Sequence, residues 1–310
     1  MIDHDRLLAR AFPPVEQVYD HRDSILYALG LGIGSDPLDP AALRVTYERA
    51  PDFAALPTMV VVLGSSGFWA MEPDTGITWQ QLLHGEQAIT LHAPLPPAGR
   101  LTGRTRITGI VDKGPGRGAL IYSERSLTDT ATGRLIATIE VTSFARADGG
   151  FGGPAGPVKT PQATPERAPD AVYEHATLPQ SALIYRLSGD PNPLHADPGV
   201  ARGAGFDRPI LHGLCSYGVA GWSILQATGG GGDPARLTAL SARFSSPVFP
   251  GETLRTEIWR QGPGGEGAED YAFRTRVPAR DVTVLSHGRA RLAVPPRRTE
   301  PGRPTEGSAR

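Results

Sequence analysis

The chain has 310 residues, enough to bury a sizeable core in one large domain or two of ordinary size. Its net charge of −1 gives no bulk electrostatic attraction to nucleic acid, and no apolar run of about eighteen residues predicts a membrane span. The single cysteine, Cys215, excludes an internal disulfide and, with an N-terminus unlike a signal peptide, predicts a cytoplasmic protein.

The first half of the chain combines one apolar segment with a run of alternating segments. Residues 57–71 are apolar enough to form a helix, although their helical spacing is weak. Alternation of apolar and polar residues predicts strands at 101–111, 120–126 and 135–144, with a hairpin turn at 129–133.

Two polar segments of this half could meet a phosphate-bearing ligand. Residues 84–87 read His-Gly-Glu-Gln, and Lys113 lies in Asp-Lys-Gly-Pro-Gly-Arg-Gly. The second segment lacks the Gly-Lys-Ser/Thr ending of a P-loop, so ATP is not the expected ligand. On its residues alone, it predicts a glycine-rich hairpin tip with a solvated lysine.

A linker rich in glycine and proline separates two similar halves. It begins after Gly-Gly-Phe-Gly-Gly at 149–153. Two segments are repeated across it: residues 27–40 resemble 185–198, and residues 94–107 resemble 247–258. We therefore predict a duplication, with a first domain at 1–153, a linker at 154–170, a second domain at 171–294 and a disordered tail at 295–310.

The second half contains the clearest helix. Residues 210–225 are apolar on every side, which is typical of a buried helix, and Gly218 and Gly221 would permit close packing against a sheet. Strands are predicted at 254–258, 271–277 and 282–294. One buried helix and a run of antiparallel strands, twice over, predicts an α+β fold with two sheets, each wrapped around a central helix.

A stiff polar loop precedes that helix. Its prolines fix the backbone of eight residues that include Asp190, Asn192, His195 and Asp197. A carboxyl and an imidazole held in register suit acid–base chemistry at water and at carbon. Two other interpretations stay open: turn formers with a surface histidine, or a metal site of His195, Asp197 and His212, whose spacing matches no familiar ligand set.

His212 and Gly213 lie at the expected N-terminus of the buried helix. Free backbone N–H groups there would polarise a thioester oxygen, and Gly213 would let the ligand approach. Gly213 could equally serve only to ease helix packing. Cys215, inside the helix, is most simply a small buried apolar residue.

The loop and the helix start resemble a known motif. Residues 185–198, Tyr-Arg-Leu-Ser-Gly-Asp-Pro-Asn-Pro-Leu-His-Ala-Asp-Pro, and residues 209–214, Pro-Ile-Leu-His-Gly-Leu, resemble the hydratase 2 motif of the MaoC-like, hot-dog-fold (R)-specific enoyl-CoA hydratases. Segments of the first half, such as 83–87, 112–114 and 149–153, are similar to the hydratase 2 unit of peroxisomal multifunctional enzyme type 2. The resemblance implies a double hot-dog fold with a degenerate N-terminal copy that binds the acyl chain and CoA.

The resemblance also implies roles for particular residues. Asp190 and His195 would form the catalytic pair, Asn192 would help hold the water, and Gly213 would supply the oxyanion N–H. The positions expected to contact or support the substrate are His84, Gly85, Lys113, Phe244, Tyr185, Asp197, His212 and Glu48. Contact with acyl-CoA would reverse the interpretation of Lys113 as a solvated lysine.

The implied reaction is reversible syn hydration of a trans-2-enoyl-CoA to a (3R)-3-hydroxyacyl-CoA by a homodimer. It needs no metal or redox cofactor, since CoA is part of the substrate. Two alternatives stay open: another thioester enzyme on the same fold, such as a thioesterase or a hydroxyacyl-thioester dehydratase of fatty-acid synthesis, and an acyl-CoA binding protein without activity.

Overall fold

The computed structural model describes residues 1–229, 231–265 and 267–294. Within them lie the strands β1 (Val15–Tyr19), β2 (Leu82–Leu91), β3 (Gly99–Asp112), β4 (Ala119–Asp129), β5 (Leu135–Ala145), β6 (Ala171–Ala176), β7 (Leu237–Phe244), β8 (Thr253–Pro263), β9 (Ala268–Val277) and β10 (Val282–Ala293). The α-helices are α1 (His4–Leu8), α2 (His21–Gly30), α3 (Pro40–Thr46), α4 (Ser181–Tyr185), α5 (Pro198–Gly203) and α6 (Gly213–Ala227). None of the helices in these segments combines the length and the apolar character needed to cross a membrane.

All of these strands form one antiparallel sheet, in the order β1-β3-β4-β5-β2-β7-β10-β9-β8-β6. Each half of the chain contributes five strands. Numbered along its own half, they lie in the same order from the outer edge of the sheet to the middle: first, third, fourth, fifth, second. This repeat supports the duplication inferred from the sequence. The predicted α+β double hot-dog fold is confirmed, but the two expected sheets are one, because β2 pairs with β7. An ion pair between Glu86 and Arg243, 2.6 Å apart, crosses that junction.

Every strand predicted from alternation is present. The predicted segments lie within β3, β4, β5, β8 and β9, and the last ends one residue past β10. The turn between β4 and β5 is closed by the Gly133 N–H, which donates to the Asp129 carbonyl at 2.8 Å. Four further strands, β1, β2, β6 and β7, were not predicted. In β2, which includes residues 84–87, the burial pattern does not alternate regularly, so period-two spacing could not identify it.

Helix α6 is the centre of the core, as its sequence predicts. All residues from Cys215 to Leu225 are buried. A methyl group placed on Gly218 would lie 2.7 Å from the Leu31 side chain at the end of α2, whereas one on Gly221 would lie 2.8 Å from Thr58 and 3.3 Å from Leu240 of β7. The expected contact with the sheet therefore applies to Gly221, while Gly218 packs on α2.

The prediction of a helix at residues 57–71 is wrong. Residues Pro57–Val61 form a short 3₁₀ helix, and Trp69–Met71 form another. The consecutive β-branched residues disfavour an α-helix, and the chain turns at Gly64, whose φ is +58°. The first half therefore has no long central helix, and α6 packs against the first 3₁₀ helix.

The segment from 146 to 170, which the structure describes throughout, contains neither helix nor strand. It is fastened to the second half by side chains: Arg289 Nε donates to Gln162 Oε1 at 2.7 Å, and Trp259 Nε1 donates to the Arg167 carbonyl at 2.8 Å. These positions agree with a linker, and its boundaries stay a prediction. The predicted disordered tail at 295–310 lies outside the described residues.

Candidate active site

The polar loop follows α4 and is held by its own short-range hydrogen bonds. Gly189 adopts a φ of +122°, which reverses the chain after α4. The Asn192 side chain then accepts a hydrogen bond from the Leu194 N–H at 3.0 Å and caps a 3₁₀ turn that ends at His195. The loop is therefore ordered, as its prolines predict.

Asp190, His195 and His212 form one cluster. One carboxylate oxygen and one ring nitrogen from each histidine all lie within 4.8 Å of one another. Two groups at such a separation can share a bridging water, because each hydrogen bond to it spans about 2.8 Å.

The tautomer of His195 follows from its hydrogen bond. Its Nδ1 lies 2.9 Å from the carbonyl oxygen of Ile210, which can only accept, so Nδ1 carries the proton. The lone pair of a neutral ring is then on Nε2. Desolvation lowers the pKa of His195, although the Ile210 carbonyl and the Asp190 charge oppose this effect. A neutral imidazole with a free Nε2 can act as a general base near neutral pH.

His212 packs against the pair formed by Asp190 and His195. Its ring is stacked on that of His195, with the centroids 3.8 Å apart, and its Nε2 donates to the Asp190 carbonyl at 3.1 Å. Tyr185 covers it, with ring centroids 5.0 Å apart. Desolvation and the nearby His195 lower the pKa of His212 to about 4, so the ring is neutral.

The geometry argues against the metal site considered from the sequence. The set of His195, Asp197 and His212 is not assembled, because the carboxylate within 4.8 Å of a nitrogen of each histidine belongs to Asp190. Asp197 lies elsewhere, because it is exposed and accepts hydrogen bonds from Gly199 and Val200 at the start of α5. Asp197 is therefore a helix cap rather than a ligand.

Gly213 is the first residue of α6, as predicted, and His212 precedes it as the N-cap without a side-chain cap. Within the described part of the chain, no hydrogen bond is made by the Gly213 N–H. Residue Gly213 is exposed, so this donor remains available to a ligand at the positive end of the helix dipole.

The first half of the chain approaches the cluster of Asp190, His195 and His212 where β2 pairs with β7. The ring of His84 on β2 meets that of Phe244 on β7, with centroids 4.7 Å apart. Phe244 also lies against Gly213, where an added methyl group would be 3.1 Å away. His84 is exposed as a residue, but desolvation of its ring lowers its pKa, and the Asp190 charge opposes this effect. Gly85 follows His84 at a bulge in β2.

The remaining predicted residues lie further out. Lys113 is half-buried in the β3–β4 turn, with its amine 4.9 Å from the Phe144 ring centre. Glu48 is exposed and lines a surface pocket of about 510 Å³ with Asp20 and His21. Among the described residues, no hydrogen bond or ion pair joins Glu48 to the cluster, and its place beside the substrate stays a prediction. The Ile210 carbonyl was missed, because no side-chain signal marks a backbone acceptor.

Two family models match the chain, one for each half. The MFE-2 hydratase 2 N-terminal domain matches residues 18–147, and the MaoC like domain matches residues 160–282.

Individual proteins are similar over most of the chain. The 3-hydroxyacyl-thioester dehydratase Y of Mycobacterium tuberculosis is 44% identical over 84% of this chain and 87% of its own length. Enoyl-CoA hydratase ChsH3 of the same organism is 42% identical over 93% of this chain and 97% of its own. The crystal structure of a MaoC-like dehydratase from Phytophthora capsici is 35% identical, covers 94% of this chain and 98% of its own, and has a TM-score of 0.79.

Proposed function

The chain belongs to the MaoC-like dehydratase family, in the branch that carries the MFE-2 hydratase 2 N-terminal domain, and on this basis we propose that it is an (R)-specific 2-enoyl-CoA hydratase. This hydro-lyase adds water reversibly and syn across the double bond of a trans-2-enoyl-CoA, giving a (3R)-3-hydroxyacyl-CoA. The observation that carries the proposal is the Asp190 carboxyl facing a neutral His195 beside the N-terminus of α6.

The proposed mechanism uses only groups of this chain. His195 Nε2 takes a proton from the shared water while the water oxygen bonds to C3. The Gly213 N–H stabilises the charge that develops on the thioester oxygen. His195 passes the proton taken from water to the Asp190 carboxylate, which delivers it to C2, so both groups return to their starting states. Addition of water is redox-neutral, so the reaction as proposed needs no cofactor.

The same groups would serve the reverse reaction, since an enzyme accelerates both directions. The names of relatives refer to both directions, since one from Mycobacterium tuberculosis is a 3-hydroxyacyl-thioester dehydratase and another is an enoyl-CoA hydratase. A thioesterase would instead direct the water to C1 and release a free thiol. The finer proposals are an acyl-CoA substrate, a homodimer and a cytoplasmic location.

Purified protein should remove the absorbance of a trans-2-enoyl-CoA and release no thiol. Asp190→Asn and His195→Gln should each abolish turnover, because each removes one of the two groups that move protons. His92→Gln is the matched control, since His92 is exposed and bonds only to Thr138 among the described side chains. Unchanged turnover in both site variants, or thiol release by the parent protein, would exclude the proposed reaction.

A further inference from the structure

Asp112, at the end of β3, joins two glycine-rich loops. Its carboxylate accepts hydrogen bonds from the Gly114 N–H at 2.8 Å and the Gly150 N–H at 2.7 Å through one oxygen, and from the Gly152 N–H at 2.8 Å through the other. Residue Asp112 is 7% exposed. The loop at 113–118 and the segment 149–153 are therefore tied to one buried anion.

The two loops are in direct contact, which leaves little freedom between them. A methyl group on Gly149 would lie 2.7 Å from the Gly118 nitrogen, so only a glycine fits there. The Lys113 N–H donates to the Gly118 carbonyl at 3.1 Å, which closes the hairpin tip. Since three glycine N–H groups already bind Asp112, this glycine-rich loop does not offer them as a cradle for a phosphate.

The loop instead presents a cation. Lys113 extends over Phe144, and none of the ion pairs among the described residues includes its amine. Phe144 of β5 is the register partner of Leu83 of β2, the neighbour of His84. Lys113 therefore lies over the end of β5 that pairs with the start of β2, the strand that carries His84.

We propose that Asp112 is a positioning residue for the nucleotide end of the CoA thioester. It holds the paired glycine loops and so fixes Lys113, the residue that the sequence resemblance assigns to contact with acyl-CoA and that would bind the CoA phosphates. This inference rests on the proposed function, because it assigns the phosphate-bearing part of that same substrate. Asp112 itself does not touch the substrate, and its effect passes through Lys113.

The direction in which KM changes distinguishes positioning of Lys113 by Asp112 from a direct effect of the Asp112 charge on the phosphates. Asp112→Asn removes a negative charge near the phosphates, and by Coulomb's law alone this would strengthen their binding. Loss of the ordered loop predicts the opposite. We expect KM for an enoyl-CoA to rise about two- to fivefold, the size of one lost exposed charge contact, with kcat unchanged.

The matching acyl-pantetheine thioester, which lacks the nucleotide and its phosphates, isolates the effect. Its KM should be the same in Asp112→Asn and the parent protein. Lys113→Gln should behave as Asp112→Asn does, and the double variant should be no worse than either, because both act on one contact. Asp129→Asn is the matched control, since Asp129 holds the turn at the opposite end of β4 and should change neither KM.

Two further measurements keep the inference testable. If Asp112→Asn does not fold, Gly114→Ala loosens the same loop, because its φ of +95° disfavours alanine although the space around it is open. Calorimetric binding of free CoA tests the loop without turnover, so failure of the proposed reaction would be recognised separately. An unchanged or lower KM for enoyl-CoA, or an equal rise for the pantetheine thioester, would overturn the role of Asp112.

Discussion

The N–H of Gly213 can be removed without breaking the helix that carries it. Gly213 is the first residue of α6, a position that proline tolerates because its N–H has no partner within the helix. The preceding residue, His212, has a ψ of +133°, which is the extended conformation that proline requires before it. Gly213→Pro therefore deletes the proposed oxyanion donor while the backbone keeps its path.

The steric cost of this change must be separated from the loss of the donor. Any side chain at Gly213 places a carbon 3.1 Å from two ring atoms of Phe244, so the ring has to move by a few tenths of an ångström. Gly213→Ala carries this cost and keeps the N–H. The ratio of kcat between the alanine and proline variants then reports the replacement of the N–H by the proline Cδ methylene.

We expect that ratio to be about 10² to 10³, or about 2.7–4 kcal/mol, the effect of one lost oxyanion donor. The measurement is the initial rate of enoyl-CoA absorbance loss at saturating substrate, with thermal unfolding by circular dichroism to confirm that both variants fold. Equal kcat values in the two folded variants would refute a role for this N–H.

Three other predictions follow from the site and the core. His212→Phe keeps a ring against His195 but loses the donor to the Asp190 carbonyl, so kcat should fall at least about tenfold. His212→Gln keeps a donor, and its kcat should fall less. Equal losses of kcat in the two variants would contradict a role for the donor. The acid limb of the pH profile of kcat/KM should be centred below pH 6.5, because the pKa of His195 is lowered and the ring accepts a proton only above it; a midpoint above 6.5 would be inconsistent with this. Gly218→Ala gains about 1 kcal/mol of helix propensity but crowds the Leu31 side chain. We therefore expect the free energy of unfolding, measured with denaturant, to fall by about 1 kcal/mol. A rise would show that Leu31 moves aside easily.

Local patterns were sufficient for much of the second half. The burial of α6, its start at Gly213 and the order of the loop around Asp190 all follow from features within one stretch of chain: apolar residues on every side, a glycine after a polar residue, and closely spaced prolines. Alternation identified six strands for the same reason. In each case the neighbours that decide the conformation are close in sequence.

Local sequence patterns did not predict the structure where contacts between distant segments determine it. Residues 57–71 are apolar because they pack against α6 and the sheet, yet they turn at Gly64 instead of forming a helix. Asp197 and Asp190 are both acidic residues of the same loop, but one caps α5 and the other faces His195.

The sequence by itself determined the duplicated α+β architecture and the one loop that holds an acid and a base, because periodicity and proline spacing act over a few residues. Only the tertiary structure decided that β2 pairs with β7, which brings His84 to Phe244 and joins the two sheets. It also decided that His212 stacks on His195 and that the Ile210 carbonyl fixes the tautomer of that ring. These contacts depend on the packing of segments far apart in the chain, and no local property of either partner specifies them.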